Sequence, residues 1–98
     1  MKKNIYIRDI KPGEKIYDFF FVTEKNLAYS QKGAPYLNLR LKDKTGELDG
    51  KVWDNVQELD RAFRKGDFVY LQTRAVQYKN AIQLAVMSAR RAAPEEID

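Results

Sequence analysis

The sequence has 98 residues, the size of one compact domain, and 44% of them are hydrophobic. It contains no cysteine and no histidine, which excludes disulfides, thiolate metal sites, cysteine nucleophiles, serine–histidine–aspartate triads and histidine metal clusters. Lysine and arginine number 18 against 14 acidic residues, and the resulting charge of +4 favours polyanionic partners without specifying one.

The chain begins with a segment that predicts a short extended arm and a turn, over residues 1–15. Ile5 and Ile7 alternate with more polar neighbours, as in extended backbone. Pro12 presets φ and Gly13 permits positive φ, so the two together predict a turn. The arm therefore leads into the first strand through a tight change of direction.

Three strands are predicted next, over residues 16–29, 36–41 and 47–53. The first is long and rich in aromatic and β-branched residues, which favour strands. The second alternates strictly between apolar and polar residues, the pattern of a half-buried strand. Its predicted inward side chains are Leu37, Leu39 and Leu41. In the third strand, Leu48, Gly50 and Val52 share one face.

A change of period over residues 54–64 predicts one short amphipathic helix. Its apolar residues fall at helical spacing: Val56, Leu59, Ala62 and Phe63. Asp54 or Asn55 is expected to cap its start, and Gly66 suits its end. Period-two alternation then returns and predicts a fourth and a fifth strand, over 67–77 and 82–87.

Five strands with one helix between the third and the fourth are the element order of an OB fold, a small all-β Greek-key barrel. We expect the barrel over residues 16–88 and a charged linker or chain end over 89–98, where a proline breaks the pattern. An SH3-like barrel also has five strands, but it lacks a full helix at this position. Leu59 and Phe63 are expected to plug one open end of the barrel.

OB folds tend to bind ligands through the outer face of strands two and three and through the loops that join strands one to two and four to five. This chain places aromatic, cationic and amide side chains at those positions. The candidate binding residues are Tyr29, Lys32, Tyr36, Asn38, Arg40, Lys51, Trp53, Tyr78 and Lys79. Bases stack on aromatic rings for roughly 1–3 kcal/mol each while cations follow the phosphates, so this mixture indicates single-stranded nucleic acid.

Several of these residues have an alternative structural role. Trp53 ends a strand just before the helix and can pack beneath it, and Tyr36 follows a proline as a corner residue. Arg40 and Lys51 can form a cross-strand pair with Asp49. In those roles the side chains would stabilise the barrel and leave no binding face.

Five segments resemble the OB domain found in YhaM-type 3′-to-5′ exoribonucleases. They are YIRDIKPGE at 6–14, GAPYL at 33–37, LKDKTGE at 41–47, VWD at 52–54 and KGD at 65–67. The resemblance covers the chain to about Met87. Members of that family often have a glycine late in strand four, whereas residues 72–75 of this chain contain none.

The resemblance implies that this domain holds single-stranded RNA or DNA for a metal-dependent HD-type phosphohydrolase domain of the same parent chain. An HD motif needs histidine, so the hydrolase half is absent here and this chain is not expected to be an enzyme. The runner-up is a protein-interaction module that docks the hydrolase domain or another protein. Asp43 and Asp54 are expected to be turn and cap residues, which leaves no catalytic constellation.

No cofactor and no metal ion are expected, since no acidic spacing suggests a carboxylate site. No apolar run approaches the ~20 residues that a membrane span needs, and no apolar stretch follows the basic start of the chain. We therefore expect a cytoplasmic protein without a membrane segment.

Overall fold

The computed structural model describes residues 3–97, which form a closed barrel of five strands with one α-helix. The elements are β1 (Lys15–Tyr29), β2 (Pro35–Asp43), β3 (Gly46–Val52), α1 (Val56–Ala62), β4 (Phe68–Tyr78) and β5 (Ala81–Arg91), with 3₁₀ turns at Ile7–Asp9 and Pro94–Glu96. The strand order around the barrel is β1-β2-β3-β5-β4. The predicted OB-fold barrel, with its helix between the third and fourth strands, is confirmed. No helix within residues 3–97 is long and apolar enough to cross a membrane.

β1 is long because it serves both sides of the barrel. Residues 15–21 pair with β4 and residues 21–29 pair with β2, both antiparallel. The register shifts between Val22 and Glu24, where Thr23 is the extra residue and donates its hydroxyl to the Arg40 carbonyl at 3.2 Å. A bulge increases the local twist of a strand, which turns β1 from one partner to the other.

The barrel closes through a parallel pairing of β3 with β5, in which residues 49–51 lie beside residues 83–85. The β4–β5 hairpin turns at Lys79 and Asn80, both with positive φ, as a two-residue hairpin turn requires. The β4–β5 register shifts between Gln72 and Thr73, and Met87 is the extra residue on β5. The irregularity of this hairpin thus lies on β5, opposite the glycine-free residues 72–75 of β4.

The barrel core is filled by the inward residues of all five strands. Leu37, Leu39 and Leu41 are each at most 2% exposed, which confirms the face predicted from their alternation. Leu59 and Phe63 are also buried in this core, as expected for a plug at one end. The sequence period therefore identifies the interior of β2 and the buried side of α1.

Two aromatic residues of β1, Phe19 and Phe21, lie on the outside of the barrel. Phe19 contacts Tyr70 with 5.0 Å between ring centroids, and Phe21 contacts Phe68 at 4.9 Å. Their position follows from alternation, because Phe20 between them is buried and successive strand side chains face opposite ways. The outer surface of β1 and β4 thus carries a cross-strand aromatic ladder.

The helix is shorter than the 54–64 predicted, since it spans Val56–Ala62. Asn55 precedes it in a left-handed conformation with φ of 53°, and its side chain makes no capping hydrogen bond. The side-chain cap predicted from Asp54 or Asn55 is therefore wrong. Phe63 leaves the helix with extended backbone, so helical periodicity overestimates the element at its end.

Lys25 holds the carboxyl end of α1 against β1. Its ammonium donates to the carbonyls of Asp60 and Phe63 at 2.7 and 2.6 Å, and it lies 2.8 Å from the Asp60 carboxylate. These carbonyls belong to the helix end, where no intrahelical donor remains. A cation at this position also complements the helix dipole, so Lys25 fixes the plug in place.

The amino-terminal segment is part of the barrel instead of a free arm. Asp18, only 1% exposed, accepts the N–H groups of Asn4 and Ile5 at 2.9 and 2.8 Å and that of Phe19 at 2.8 Å. Ile10 is buried in the core. Within the arm and turn predicted over 1–15, a 3₁₀ turn at Ile7–Asp9 replaces extended backbone, and the first two residues lie outside the described part.

A buried ammonium completes this attachment. The Lys3 Nζ lies 3.6 Å from the Asp18 carboxylate and 3.8 Å from that of Asp43, and it donates to the Phe19 carbonyl at 2.6 Å. Burial lowers the pKa of Lys3 below its ordinary value, although the two carboxylates oppose that shift. The cation and the two anions therefore compensate one another beneath the amino-terminal segment.

Asp43 is a turn residue, as predicted, and it has a second task. It accepts the Thr45 N–H and hydroxyl at 2.7 and 2.6 Å within the β2–β3 turn. Its other oxygen accepts the Ile7 N–H at 2.7 Å. Burial raises the pKa of Asp43, but these hydrogen bonds outweigh it and leave the pKa below its ordinary value.

β5 continues to Arg91, three residues past the domain end predicted at residue 88. Ala92 is buried, and a 3₁₀ turn follows in which Arg90 donates twice to the Glu96 carboxylate at 2.7 and 3.0 Å. The prediction of a linker from residue 89 is therefore wrong for residues 89–91. Small and charged residues interrupt the apolar alternation at residues 89–91, although these residues still pair with β4 through their backbone.

Candidate nucleic-acid interface

The outer face of β2 and β3 is built by alternation from the buried leucines. Tyr36, Asn38 and Arg40 point outward between them, and each is partly exposed. The antiparallel register sets Asn38 opposite Lys51 and Arg40 opposite Asp49. The candidate residues of these two strands therefore form one continuous surface.

An aromatic pair marks one end of this surface. The rings of Tyr36 and Trp53 stack with 4.4 Å between centroids and 25° between planes. Trp53 is 51% exposed, and it follows the last residue of β3. Trp53 thus does not pack beneath the helix. The ammonium of Lys51 lies 5.6 Å from the centroid of the Tyr36 ring, on the same surface.

The two cations of this face differ in their partners. Lys51 donates to the side-chain oxygen of Asn38, and no carboxylate among residues 3–97 pairs with it. Arg40 lies 2.9 Å from Asp49 and 3.5 Å from Glu47. The hydrogen bond with Asp49 raises the pKa of Arg40 above its ordinary value. The charge of Lys51 is therefore available to an anionic ligand, whereas the charge of Arg40 is offset by two neighbouring carboxylates.

The β1–β2 loop presents Tyr29 and Lys32 at the same end of the hairpin as Pro35. Tyr29 is 65% exposed, and Lys32 lies in the exposed turn. The Ser30 N–H donates to the Ala34 carbonyl at 2.8 Å, and its hydroxyl accepts the Ala34 N–H at 3.1 Å. The loop is thus closed by its own hydrogen bonds, with both candidate side chains projecting from it.

The β4–β5 hairpin presents Tyr78 and Lys79. Tyr78 is 52% exposed, and the Lys79 ammonium lies 5.2 Å from its ring centroid. Among the described residues, no ring–ring or cation–ring pair joins Tyr78 or Lys79 to Tyr36 or Trp53. The structure therefore brings together the candidates on β2 and β3, sets Tyr29 opposite Pro35 beside Tyr36, and places Tyr78 and Lys79 on the β4–β5 hairpin.

The pairing of β5 beside β3 adds outward residues that were not among the candidates. They are Gln83, Ala85 and Met87 on β5, followed by Arg74 and Val76 on β4. Met87 is 46% exposed, as expected from its place next to the buried Val86 in the strand. The alternation within 82–87 indicated which residues of β5 point outward, and the strand order of an OB barrel would have placed β5 next to β3.

Two curated relatives match most of this chain. The 3′-5′ exoribonuclease YhaM of Halalkalibacterium halodurans is 31% identical over 78 residues, which are 80% of this chain and 24% of that protein. The YhaM of Oceanobacillus iheyensis is 28% identical over 94 residues, 96% of this chain and 29% of that protein. The chain thus spans about a quarter of the length of these relatives. No protein-family model matches it.

Solved structures share the fold at lower identity. The second OB-fold domain of replication protein A from Methanococcus maripaludis has a TM-score of 0.68 and 20% identity, covering 90% of this chain and 93% of that one. A HINb domain has a TM-score of 0.73 and 12% identity, covering 91% and 47%. The mitochondrial single-stranded DNA binding protein of S. cerevisiae has a TM-score of 0.63 and 18% identity, covering 84% and 97%. The chain is an OB-fold domain that resembles part of the YhaM exoribonucleases over most of its length.

Proposed function

We propose that this chain binds single-stranded nucleic acid, RNA or DNA, on the outer face of β2 and β3. The observation that carries the proposal is the stacked, half-exposed pair of Tyr36 and Trp53, with the Lys51 ammonium beside it. A large exposed aromatic pair costs solubility unless a partner covers it, and a nucleobase is a flat partner of matching size.

The charges of this face favour a strand whose phosphates run past Lys51 and the loop cations. Within residues 3–97, Lys51 has an amide and an aromatic ring beside it and no carboxylate, and Lys32 and Lys79 are exposed at the two loops. Arg40 contributes less to phosphate attraction, because Asp49 and Glu47 already offset its charge. Asn38 holds Lys51 in place and, when released, offers an amide to base edges.

The names of the matched proteins support the same class of ligand. Two are exoribonucleases, and one structural neighbour is a single-stranded DNA binding protein. We further propose that the chain is the substrate-holding, amino-terminal domain of a larger HD-type phosphohydrolase, and that its own role is not catalytic. A cytoplasmic location, favoured by the lack of cysteine, belongs to the same proposal.

A protein-docking function is the second candidate, and the aromatic ladder on the outside of β1 and β4 favours it. Phe19, Tyr70, Phe21 and Phe68 are all partly exposed there, away from the face just described. An apolar partner would bury these rings with little dependence on salt. The two candidates therefore use different surfaces and differ in their response to ionic strength.

Fluorescence anisotropy with labelled single-stranded RNA and DNA, at low and moderate salt, tests the proposal, with duplex as the control. We expect binding that favours single strands and weakens as salt rises, because phosphate contacts release counterions. Trp53→Ala should lower the affinity by roughly 5- to 150-fold, the equivalent of one base stack of ~1–3 kcal/mol.

A matched aromatic control separates the binding face from a general loss of surface. Tyr17→Ala removes another exposed ring, 43% exposed, from a strand outside the proposed face, and it should leave the affinity unchanged. No binding at low salt with tens of micromolar protein would exclude the nucleic-acid function. Protein docking through the aromatic ladder would then be the leading function.

A further inference from the structure

An open groove lies beside α1, next to the aromatic pair. Its floor is apolar and comes from three elements: Ala34 and Pro35 at the start of β2, Trp53 after β3, and Val56 in the helix. Trp53 belongs both to this groove and to the stacked pair on the binding face. The groove is therefore continuous with the proposed nucleic-acid interface.

One face of α1 forms the polar side of the groove. Gln57, Glu58 and Arg61 line it, and all three are exposed. Gln57 and Arg61 are four residues apart, so they lie on the same side of the helix about 6 Å from each other along its axis. The groove thus has an amide close to Trp53 and a guanidinium one turn further on.

The charges of this lining favour a neutral ring on the floor and an anion at its far end. Glu58 repels a phosphate from the first turn of α1, and the floor residues Ala34, Pro35, Trp53 and Val56 carry no charge that would attract one. No carboxylate among residues 3–97 lies within ion-pair distance of Arg61, so its charge is available to an anion. A flat heterocycle with a phosphate attached matches this arrangement.

We propose that the groove between Pro35 and α1 receives one further base of the strand held on β2 and β3. In this arrangement the base lies against the face of Trp53 that lines the groove. The guanidinium of Arg61 contacts the adjoining phosphate. The inference rests on the proposed function and extends the binding site around Trp53 onto the helix.

The experiment measures the affinity for labelled single-stranded oligonucleotides of increasing length, from roughly four to roughly ten nucleotides, the lower part of the range for one OB fold. We expect an affinity step once the oligonucleotide is long enough to pass Trp53. Arg61→Ala should remove that step, about 3- to 10-fold, and leave the affinity for the shortest oligonucleotides unchanged. The salt slope for long oligonucleotides should fall by roughly 0.7, the value for one phosphate contact on a single strand.

Arg64→Ala is the matched control, because it removes the same charge from an exposed arginine that does not line the groove. It should preserve the length step. Gln57→Glu places a second carboxylate beside the groove at a solvent-exposed helix position. It should lower the affinity for long oligonucleotides only. Circular dichroism verifies that each variant is folded.

Three outcomes are distinguishable. A step that Arg61→Ala removes and Arg64→Ala preserves supports the groove as a base site. Binding without a step, or equal losses in both arginine variants, overturns it while the β2–β3 interface stands. Absence of binding to every oligonucleotide overturns the proposed function and this inference together.

Discussion

Replacing Asp18 by asparagine should destabilise the whole barrel, because this buried carboxylate holds the amino-terminal segment. Its two oxygens accept three backbone N–H groups, those of Asn4, Ile5 and Phe19, and its charge faces Lys3 at 3.6 Å. Asparagine is nearly isosteric, but it replaces one acceptor oxygen by an NH₂ donor. One backbone N–H then loses its acceptor, and Lys3 loses one of two anionic neighbours.

The magnitude follows from these two losses. A buried donor left without an acceptor costs roughly 1–3 kcal/mol, and breaking a buried ion pair costs roughly 3–5 kcal/mol. Lys3 keeps the Asp43 carboxylate at 3.8 Å and the Phe19 carbonyl at 2.6 Å, which reduces the second term. We therefore expect Asp18→Asn to lower the free energy of unfolding by about 2–4 kcal/mol.

Urea unfolding followed by tryptophan fluorescence and by far-ultraviolet circular dichroism measures this change, and coincident transitions verify two-state behaviour. Asp9→Asn is the control, because that carboxylate is 62% exposed in its pair with Arg8. Exposed pairs contribute little, so the control should stay within about 0.5 kcal/mol of wild type. A loss below about 1 kcal/mol for Asp18→Asn, or an equal loss in the control, would refute the reasoning.

Three further changes test other parts of the fold. The pKa of Asp43 is lowered on folding, so the stability that its carboxylate contributes is present above the unfolded pKa of 3.8 and is lost as pH falls through the folded pKa. Asp43→Asn should therefore reduce the loss of unfolding free energy below about pH 4. Urea titrations at several pH values measure this difference. Lys25→Met should cost about 1.5–3 kcal/mol in the same assay by removing charged hydrogen bonds to the end of α1, whereas Lys65→Met, in an exposed pair, should cost less than about 0.5 kcal/mol. Gly50→Ala should cost about 1–3 kcal/mol, seen as a lower thermal midpoint, since its Cβ would lie 2.9 Å from the buried Leu41 Cδ1; an unchanged midpoint would show that the core accommodates it.

The barrel could be predicted from the sequence because its strands obey period-two alternation almost without exception. Leu37, Leu39 and Leu41 identified the interior of β2, and the short turns fixed the antiparallel order. The end of β5 was missed because backbone pairing continues through residues 89–91, where small and charged side chains carry no apolar signal. Side-chain pattern reports burial, whereas strand length depends on hydrogen bonds that the pattern does not encode.

The amino-terminal segment was missed for a related reason. Its attachment depends on Asp18, a charged residue in a run of aromatic ones, where burial is normally unfavourable. Only the three-dimensional structure shows that backbone N–H groups and Lys3 converge on this carboxylate. Long-range polar contacts of this kind join residues 13 to 15 positions apart and leave no periodic trace.

The candidate face could be predicted in part. Alternation placed Tyr36, Asn38 and Arg40 outward. It did not show which of the cations already form an ion pair with a carboxylate. Arg40 is paired with Asp49, as one of the two alternatives stated, whereas Lys51 contacts Asn38 instead. The partner of a surface charge depends on side-chain conformation, so this distinction needed the structure.

Trp53 offers the most direct test of the central claim, because it is the only tryptophan in the sequence and it lies on the proposed binding face. Its intrinsic fluorescence should be quenched on titration with an unlabelled single-stranded oligonucleotide at low salt, since a base stacks on the indole. Added salt should reverse the quenching. Binding by anisotropy without any change in Trp53 fluorescence would contradict the account and place the nucleic acid on another surface.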